Sequence, residues 1–134
     1  MNRTHLEGAA EALAAQQGYA FHTGPEEGMA HTVRSYPAAW LAPLELHAVE
    51  GRGHGRATYD MTLHLLSSGA RLSPAERRTA LARMEEQLLE IFAALSLDER
   101  VLAVEGLSVR PRAFALTPHG EISQTAAARI VTFF

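Results

Sequence analysis

Leu72-Ser73-Pro74-Ala75-Glu76 constrains this 134-residue chain more tightly than any other stretch, because it fixes where one long helix begins. Serine at the N-cap, proline at the first helical position and glutamate three residues after the serine make a capping box. Apolar residues then recur at Leu81, Met84, Leu88, Ile91, Phe92 and Leu95 as one continuous stripe. Arg78, Glu85, Glu86 and Glu90 fall off that stripe. The helix is predicted from Ser73 to about Ser96. Its apolar face needs a partner layer, and strand-patterned sequence flanks it on both sides.

Before the helix, Leu44, Leu46 and Ala48 alternate with Glu45, His47 and Val49. Ala57, Tyr59, Met61, Leu63 and Leu65 then alternate with Thr58, Asp60, Thr62, His64 and Leu66. Two amphipathic strands joined by the glycine-rich turn Gly51-Arg52-Gly53-His54-Gly55 read as a hairpin. After the helix, Val101 to Val104 reads as a short strand stopped by Gly106. Leu107 to Arg110 and Arg112 to Leu116 read as an extended stretch interrupted at Pro111. Thr117-Pro118-His119-Gly120 is a turn. Glu121 to Phe134 is a long strand with Ile122, Gln124, Ala126, Ala128 and Ile130 on one phase.

The first third of the chain is less strongly patterned. Leu6, Ala9, Ala10, Leu13 and Ala14 make a helical stripe from Thr4 to Gln17, with Asn2 or Thr4 as cap and Gly18 as stop. The stripe is mostly alanine, so this helix is expected to be the least stable element. Tyr19 to Phe21 reads as a short strand, residues 22–28 as a loop, and Met29 to Tyr36 as a strand. Pro37 and Pro43 bracket Ala38 to Ala42, which reads as an edge, bend or ordered loop anchored by Trp40. The fold expected is a single α+β domain over residues 1–134: a mainly antiparallel sheet, the long helix across it and the N-terminal helix beside it. Leu81, Met84, Leu88, Phe92 and Leu95 should pack on Leu63, Leu65, Val109 and Ile130.

Composition excludes several chemistries. There is no cysteine, so thiolate metal sites, disulfides and cysteine nucleophiles are out. With 47% hydrophobic residues the chain can bury a core, and a net charge of −3 gives no polyanion-binding balance. No signal peptide is expected at the start, and no apolar run approaches the roughly 20 residues that span a bilayer. All 12 basic residues are arginine. Between positions 51 and 83, Arg52, Arg56, Arg71, Arg77, Arg78 and Arg83 face only Asp60 and Glu76, and the flanks are acidic. Such a split suits head-to-tail self-association.

Seven histidines are present: His5, His22, His31, His47, His54, His64 and His119. None has the one-turn helical spacing of a metal pair. His47 and His64 would be cross-strand neighbours in the hairpin, with Asp60 or Glu45 as a third ligand, but solvated strand histidines are the plainer reading. Asp60 with His64, or Glu45 with His47, are acid–base pairs that lack a pocket or a nucleophile. No nucleophile elbow, phosphate loop or nucleotide fingerprint is present. The alternating glycines lead into no strand-to-helix unit, so they mark a hairpin tip. Arg52, His54 and Arg56 on that tip are the best interaction residues. Nucleic acid is a weak partner for them, because no aromatic platform is interleaved. The tip is expected to be a loosely held arm that orders on contact.

The element order resembles a known group. An N-terminal helix and a strand ending in Tyr36-Pro37 come first, then the proline-led strand Pro43-Leu44-Glu45-Leu46, a long hairpin, a helix, and a closing hairpin at Thr117-Pro118-His119-Gly120-Glu121-Ile122. This is similar to the small tail-terminator and tail-completion proteins of tailed bacteriophages and prophages. The resemblance covers nearly the whole chain and rests on pattern. It implies a non-enzymatic α+β subunit that forms a ring, with no cofactor and no membrane. The implied partners are a tail-tube or head-connector protein, met in the host cytoplasm during assembly and in the virion afterwards. The competing expectations are a small metal- or ligand-binding enzyme using His47, Asp60 and His64, and a nucleic-acid adaptor using Arg52 and Arg56.

Overall fold

Burial of the stripe on the capped helix organises the rest of the molecule. A computed structural model describes residues 2–112 and 115–134. In chain order it contains α1 (Asn2–Gln16), β1 (Ala20–Thr23), a 3-10 turn (Glu26–Gly28), α2 (Met29–Thr32), β2 (Ala38–Leu41), β3 (Glu45–Arg52), β4 (His54–Ser67), α3 (Pro74–Leu95), β5 (Val101–Pro111) and β6 (Ile122–Phe133). The capping box closes both ways. The Glu76 amide donates to Ser73 Oγ at 3.2 Å, and the Ser73 amide donates to Glu76 Oε1 at 3.0 Å. Met84, Leu88, Ile91, Phe92 and Leu95 are buried. Each contributes about 1.5–3 kcal/mol by leaving water.

The six strands form one sheet in the order β1-β2-β4-β6-β5, with β3 also on β4. All pairings are antiparallel except β1 with β2. β4 is long enough that its two halves have different partners on one edge. Residues His54 to Asp60 pair with β3, and Leu63 to Leu66 pair with β2. Its other edge pairs along its length with β6. Alternation sends Tyr59, Met61, Leu63, Leu65, Ala126, Ala128 and Ile130 to the face under α1 and α3, where they join the main core. The expected partners of α3 are there, with Leu81 and Val109 half-buried at the margin of the cluster.

Several local expectations give way. Met29–Tyr36 is not a strand: the Glu26–Gly28 turn leads into the single helical turn Met29–Thr32, and Met29 and Val33 are buried from one side of it. Their spacing of four is helical, and it outweighs the weak alternation around them. Ala38–Leu41 is not a loop or an edge but a fully buried strand between β1 and β4. Pro37 and Pro43 flank it and remove no bond within its ladder. Trp40 does act as an anchor, donating from Nε1 to the Gly24 carbonyl at 2.9 Å. Gly106, at φ +62, does not stop β5. It occupies the irregularity between Glu105 and Ser108, and the strand runs on to Pro111. The extended stretch expected over Arg112–Leu116 includes positions 113 and 114, which lie outside the described residues.

α1 is tied down by more than its alanines. Leu6, Ala10 and Ala14 are buried. Asn2 donates to Thr132 Oγ1 at 3.0 Å instead of capping its own helix. Arg3 lies over the Tyr59 ring at 5.4 Å, and His5 meets Asp98 at 2.7 Å. The Asp98 carboxyl is held below its ordinary 3.8: partial burial opposes this, but the Arg100 amide and the His5 ring together outweigh it.

The glycine-rich tip is a paired hairpin to its end, with Arg52 opposite His54, rather than a loose arm. Gly55 also exchanges backbone hydrogen bonds with Phe134, at 3.2 and 3.0 Å. The arginines do not gather on one surface. Arg52 and Arg56 sit where β4 begins, whereas Arg71, Arg77 and Arg78 follow its end, on the order of 35 Å away along the strand.

Candidate functional site

The face of the sheet turned away from α1 and α3 carries the polar chemistry. Register aligns His22 of β1, Trp40 of β2, His64 of β4, Thr125 of β6 and Arg110 of β5 in one row across five strands. The His22 ring stacks on Trp40, with centroids 6.0 Å apart and planes at 28°. His64 is fully buried, and both ring nitrogens are satisfied. Nδ1 is 2.7 Å from Thr125 Oγ1, and Nε2 is 2.7 Å from Glu26 Oε1.

Proton placement follows from the partners. Burial holds the His64 pKa below its ordinary 6.5, although the Glu26 hydrogen bond and charge pull the other way and Arg112 adds to the depression. The ring is therefore neutral at neutral pH and carries one N–H. An ionised carboxylate only accepts, so that N–H is on Nε2 and donates to Glu26. Nδ1 is left as an acceptor, and Thr125 donates its hydroxyl proton to it. The result is a hydroxyl–imidazole–carboxylate chain.

Thr125 opens onto a hollow of about 670 Å³, lined also by Ser108, Arg110, Arg112, Leu116 and Ala127. The small residues Ser108 and Ala127 keep its floor low. The Arg112 amide donates to the Ser123 carbonyl at 3.1 Å, which holds the end of β5 beside Thr125. Leu116 stands in place because the buried Glu121 carboxylate accepts from the amides of Leu116 (2.6 Å) and Thr117 (2.9 Å) and from the Thr117 hydroxyl (2.6 Å). That hydroxyl in turn meets Tyr36 at 3.0 Å.

A second row on the same face is ionic. Glu45, Asp60, Arg129 and Glu105 are successive cross-strand partners. Asp60 lies 3.4 Å from His47 and 3.7 Å from Arg129. These pairs are 40% or more exposed, so each adds little stability.

The structure separates the residues expected to form a metal or acid–base cluster. His47 reaches Asp60, but His64 is four residues further along β4, about 13 Å away by strand geometry. β3 ends its pairing at Asp60 and β2 takes over, so His47 and His64 are never neighbours. Among the described residues no group of three or more His, Asp or Glu could hold a metal ion. No helix among them is long and apolar enough to cross a membrane.

The tip residues Arg52, His54 and Arg56 are exposed, as expected. Beside them lies an apolar surface. Leu46 (51% exposed), Val49 (55%) and Phe134 (48%) line a hollow with Tyr59 and Arg100 on the helix side of the sheet. Phe133, equally exposed, stands on the opposite side by alternation. No protein-family model and no curated protein matches the chain.

Proposed function

We propose that this chain is a structural subunit of a phage or prophage tail, of the tail-terminator or tail-completion kind, that self-assembles into a ring. The observation that carries this reading is the apolar collar at the hairpin end. Leu46, Val49 and Phe134 are each about half exposed and line one hollow on the same face of the sheet, beside the hairpin of β3 and β4. A contiguous exposed apolar patch marks an interaction surface. A collar at one end of an elongated sheet meets a different surface on its neighbour, and a heterologous contact of this kind closes into a ring when the rotation allows.

The element order also supports the reading. An N-terminal helix, the proline-led strand β3, its long hairpin with β4, the helix α3 and the closing strands β5 and β6 follow the order on which that resemblance rests, whereas the strand expected to end at Tyr36-Pro37 gives way to α2. Arg52, His54 and Arg56 extend beyond the collar and supply charge that selects and orients an acidic neighbour. Tail-tube or head-connector proteins are the partners this reading names.

Two tests apply. Genes for tail and capsid proteins should flank the gene for this chain, and an intact neighbourhood without virion genes counts against the proposal. Replacing Arg52 and Arg56 with serine should leave the unfolding midpoint unchanged and weaken self-association. Unaltered association would remove the tip from the interface.

A further inference from the structure

We propose that Thr125 is a nucleophile, with His64 as its general base, in a site that accepts the acyl group of an activated ester bearing a carboxylate. The site lies on the face opposite the helices and does not depend on the ring reading.

Four features carry this. The first is the chain of contacts, Oγ1 to Nδ1 at 2.7 Å and Nε2 to Glu26 at 2.7 Å, which is the spacing a base-activated hydroxyl requires. The second is direction. Because Thr125 gives its proton to Nδ1, it shows only lone pairs to the hollow, and a lone pair facing solvent space is what attacks an electrophile. The third is the hollow, whose roughly 670 Å³ admits a small substrate beside that oxygen. The fourth is charge. Arg110 and Arg112 line the same hollow, and neither is ion-paired to a carboxylate among the described residues. A planar guanidinium holds a carboxylate bidentately and also stabilises an oxyanion.

The chemistry balances without any further reagent than water. Thr125 Oγ1 adds to the acyl carbon while its proton passes to His64 Nδ1. The imidazolium is stabilised by the Glu26 carboxylate, and the oxyanion by a guanidinium. Collapse of the adduct breaks the bond from the acyl carbon to the ester oxygen. The leaving alcohol takes the proton from Nδ1, and the acyl group stays on Thr125. Water then attacks the same carbon, giving its proton to Nδ1. Thr125 Oγ1 leaves and recovers that proton, and a carboxylic acid is released. Glu26 is a positioning residue, since it acts through His64.

The test uses the full chain and the p-nitrophenyl monoester of glutaric acid. A burst of p-nitrophenolate equal to the protein present is expected, with one glutaryl group on the peptide that contains Thr125. Thr125→Ser should retain labelling, and Thr125→Ala should abolish it. His64→Gln should slow the burst about 10²–10⁴-fold, the usual contribution of a general base. Glu26→Gln should move the acid limb of the pH–rate profile to lower pH, which a merely structural role would not do. Arg110→Gln with Arg112→Gln should slow the glutarate ester far more than p-nitrophenyl acetate. Absence of a burst, labelling at another residue, or unchanged labelling in Thr125→Ala would overturn the proposal. If Thr125→Ala does not fold, the serine variant and the arginine pair still decide it: loss of labelling in the former, or no charge preference lost in the latter, would be equally fatal.

Discussion

His64 and Thr125 stand directly opposite one another on β4 and β6, and we assign the proton in their 2.7 Å contact to the threonine. The assignment follows from the other side of the ring, where Glu26 can only accept. One half-exposed carboxylate on a 3-10 turn therefore sets the chemistry of a hydroxyl two strands away. The same contacts tie the Glu26–Gly28 turn, and α2 after it, to the middle of the sheet.

Burial of His64 makes stability depend on pH in a defined window. His64 has a folded pKa below its ordinary 6.5, chiefly through burial. The unfolded chain therefore binds a proton that the folded chain resists, and stability rises with pH across that interval. The contribution is complete above about 6.5 and is lost as pH falls toward the folded value. Thermal unfolding midpoints between pH 7.5 and 5 should fall on acidification, and His64→Gln should flatten that dependence. Asp98, with its carboxyl also held low, acts in a separate and more acidic window, below its ordinary 3.8.

Phe92 sits at the centre of the α3–sheet contact and is 1% exposed. Phe92→Ala should lower the free energy of unfolding by about 3–5 kcal/mol. Denaturant titration measures it. A change below about 1 kcal/mol would mean that the helix does not pack on the sheet as described.

Gly55 tolerates no side chain. A Cβ there would lie 1.9 Å from the Glu50 carbonyl oxygen and 3.0 Å from the Phe134 ring. Gly55→Ala should cost about 1–3 kcal/mol, the range of overpacking, and should loosen the link from the hairpin to Phe134. Hydrogen exchange at the Gly55 and Phe134 amides reports it. By contrast, Gly53 at the tip has open space around its Cβ position and matters only for its φ of +64.

Much of the fold was legible because local chemistry and tertiary packing agree. The capping box at Ser73, the stripe ending at Leu95 and the alternation through Met61, Leu63 and Leu65 all stand where the pattern puts them. β2 was not legible. Ala38–Leu41 is short and uniformly buried, so it has no polar phase to alternate with, and its flanking prolines read as breakers. That single miss hid the site. Without β2 as a strand, β3 is the one partner the sequence offers His64 on that edge, which is why His47 reads as its neighbour. Thr125, Glu26, Arg110 and Arg112 carry no local signal, since a threonine in a strand and an arginine at its end are ordinary. Strand register brings Thr125 and Arg110 beside His64, and the Glu26–Gly28 turn and the end of β5 add Glu26 and Arg112.

The claim that this chain builds a ring through its apolar collar is tested most directly by native mass spectrometry of the purified protein across a concentration series. One closed oligomer of fixed stoichiometry is expected. Val49→Glu should reduce it to a folded monomer, because a charge placed in a collar residue now 55% exposed opposes association and leaves the core untouched. A wild-type monomer at every concentration, or an oligomer that persists in Val49→Glu, would contradict it.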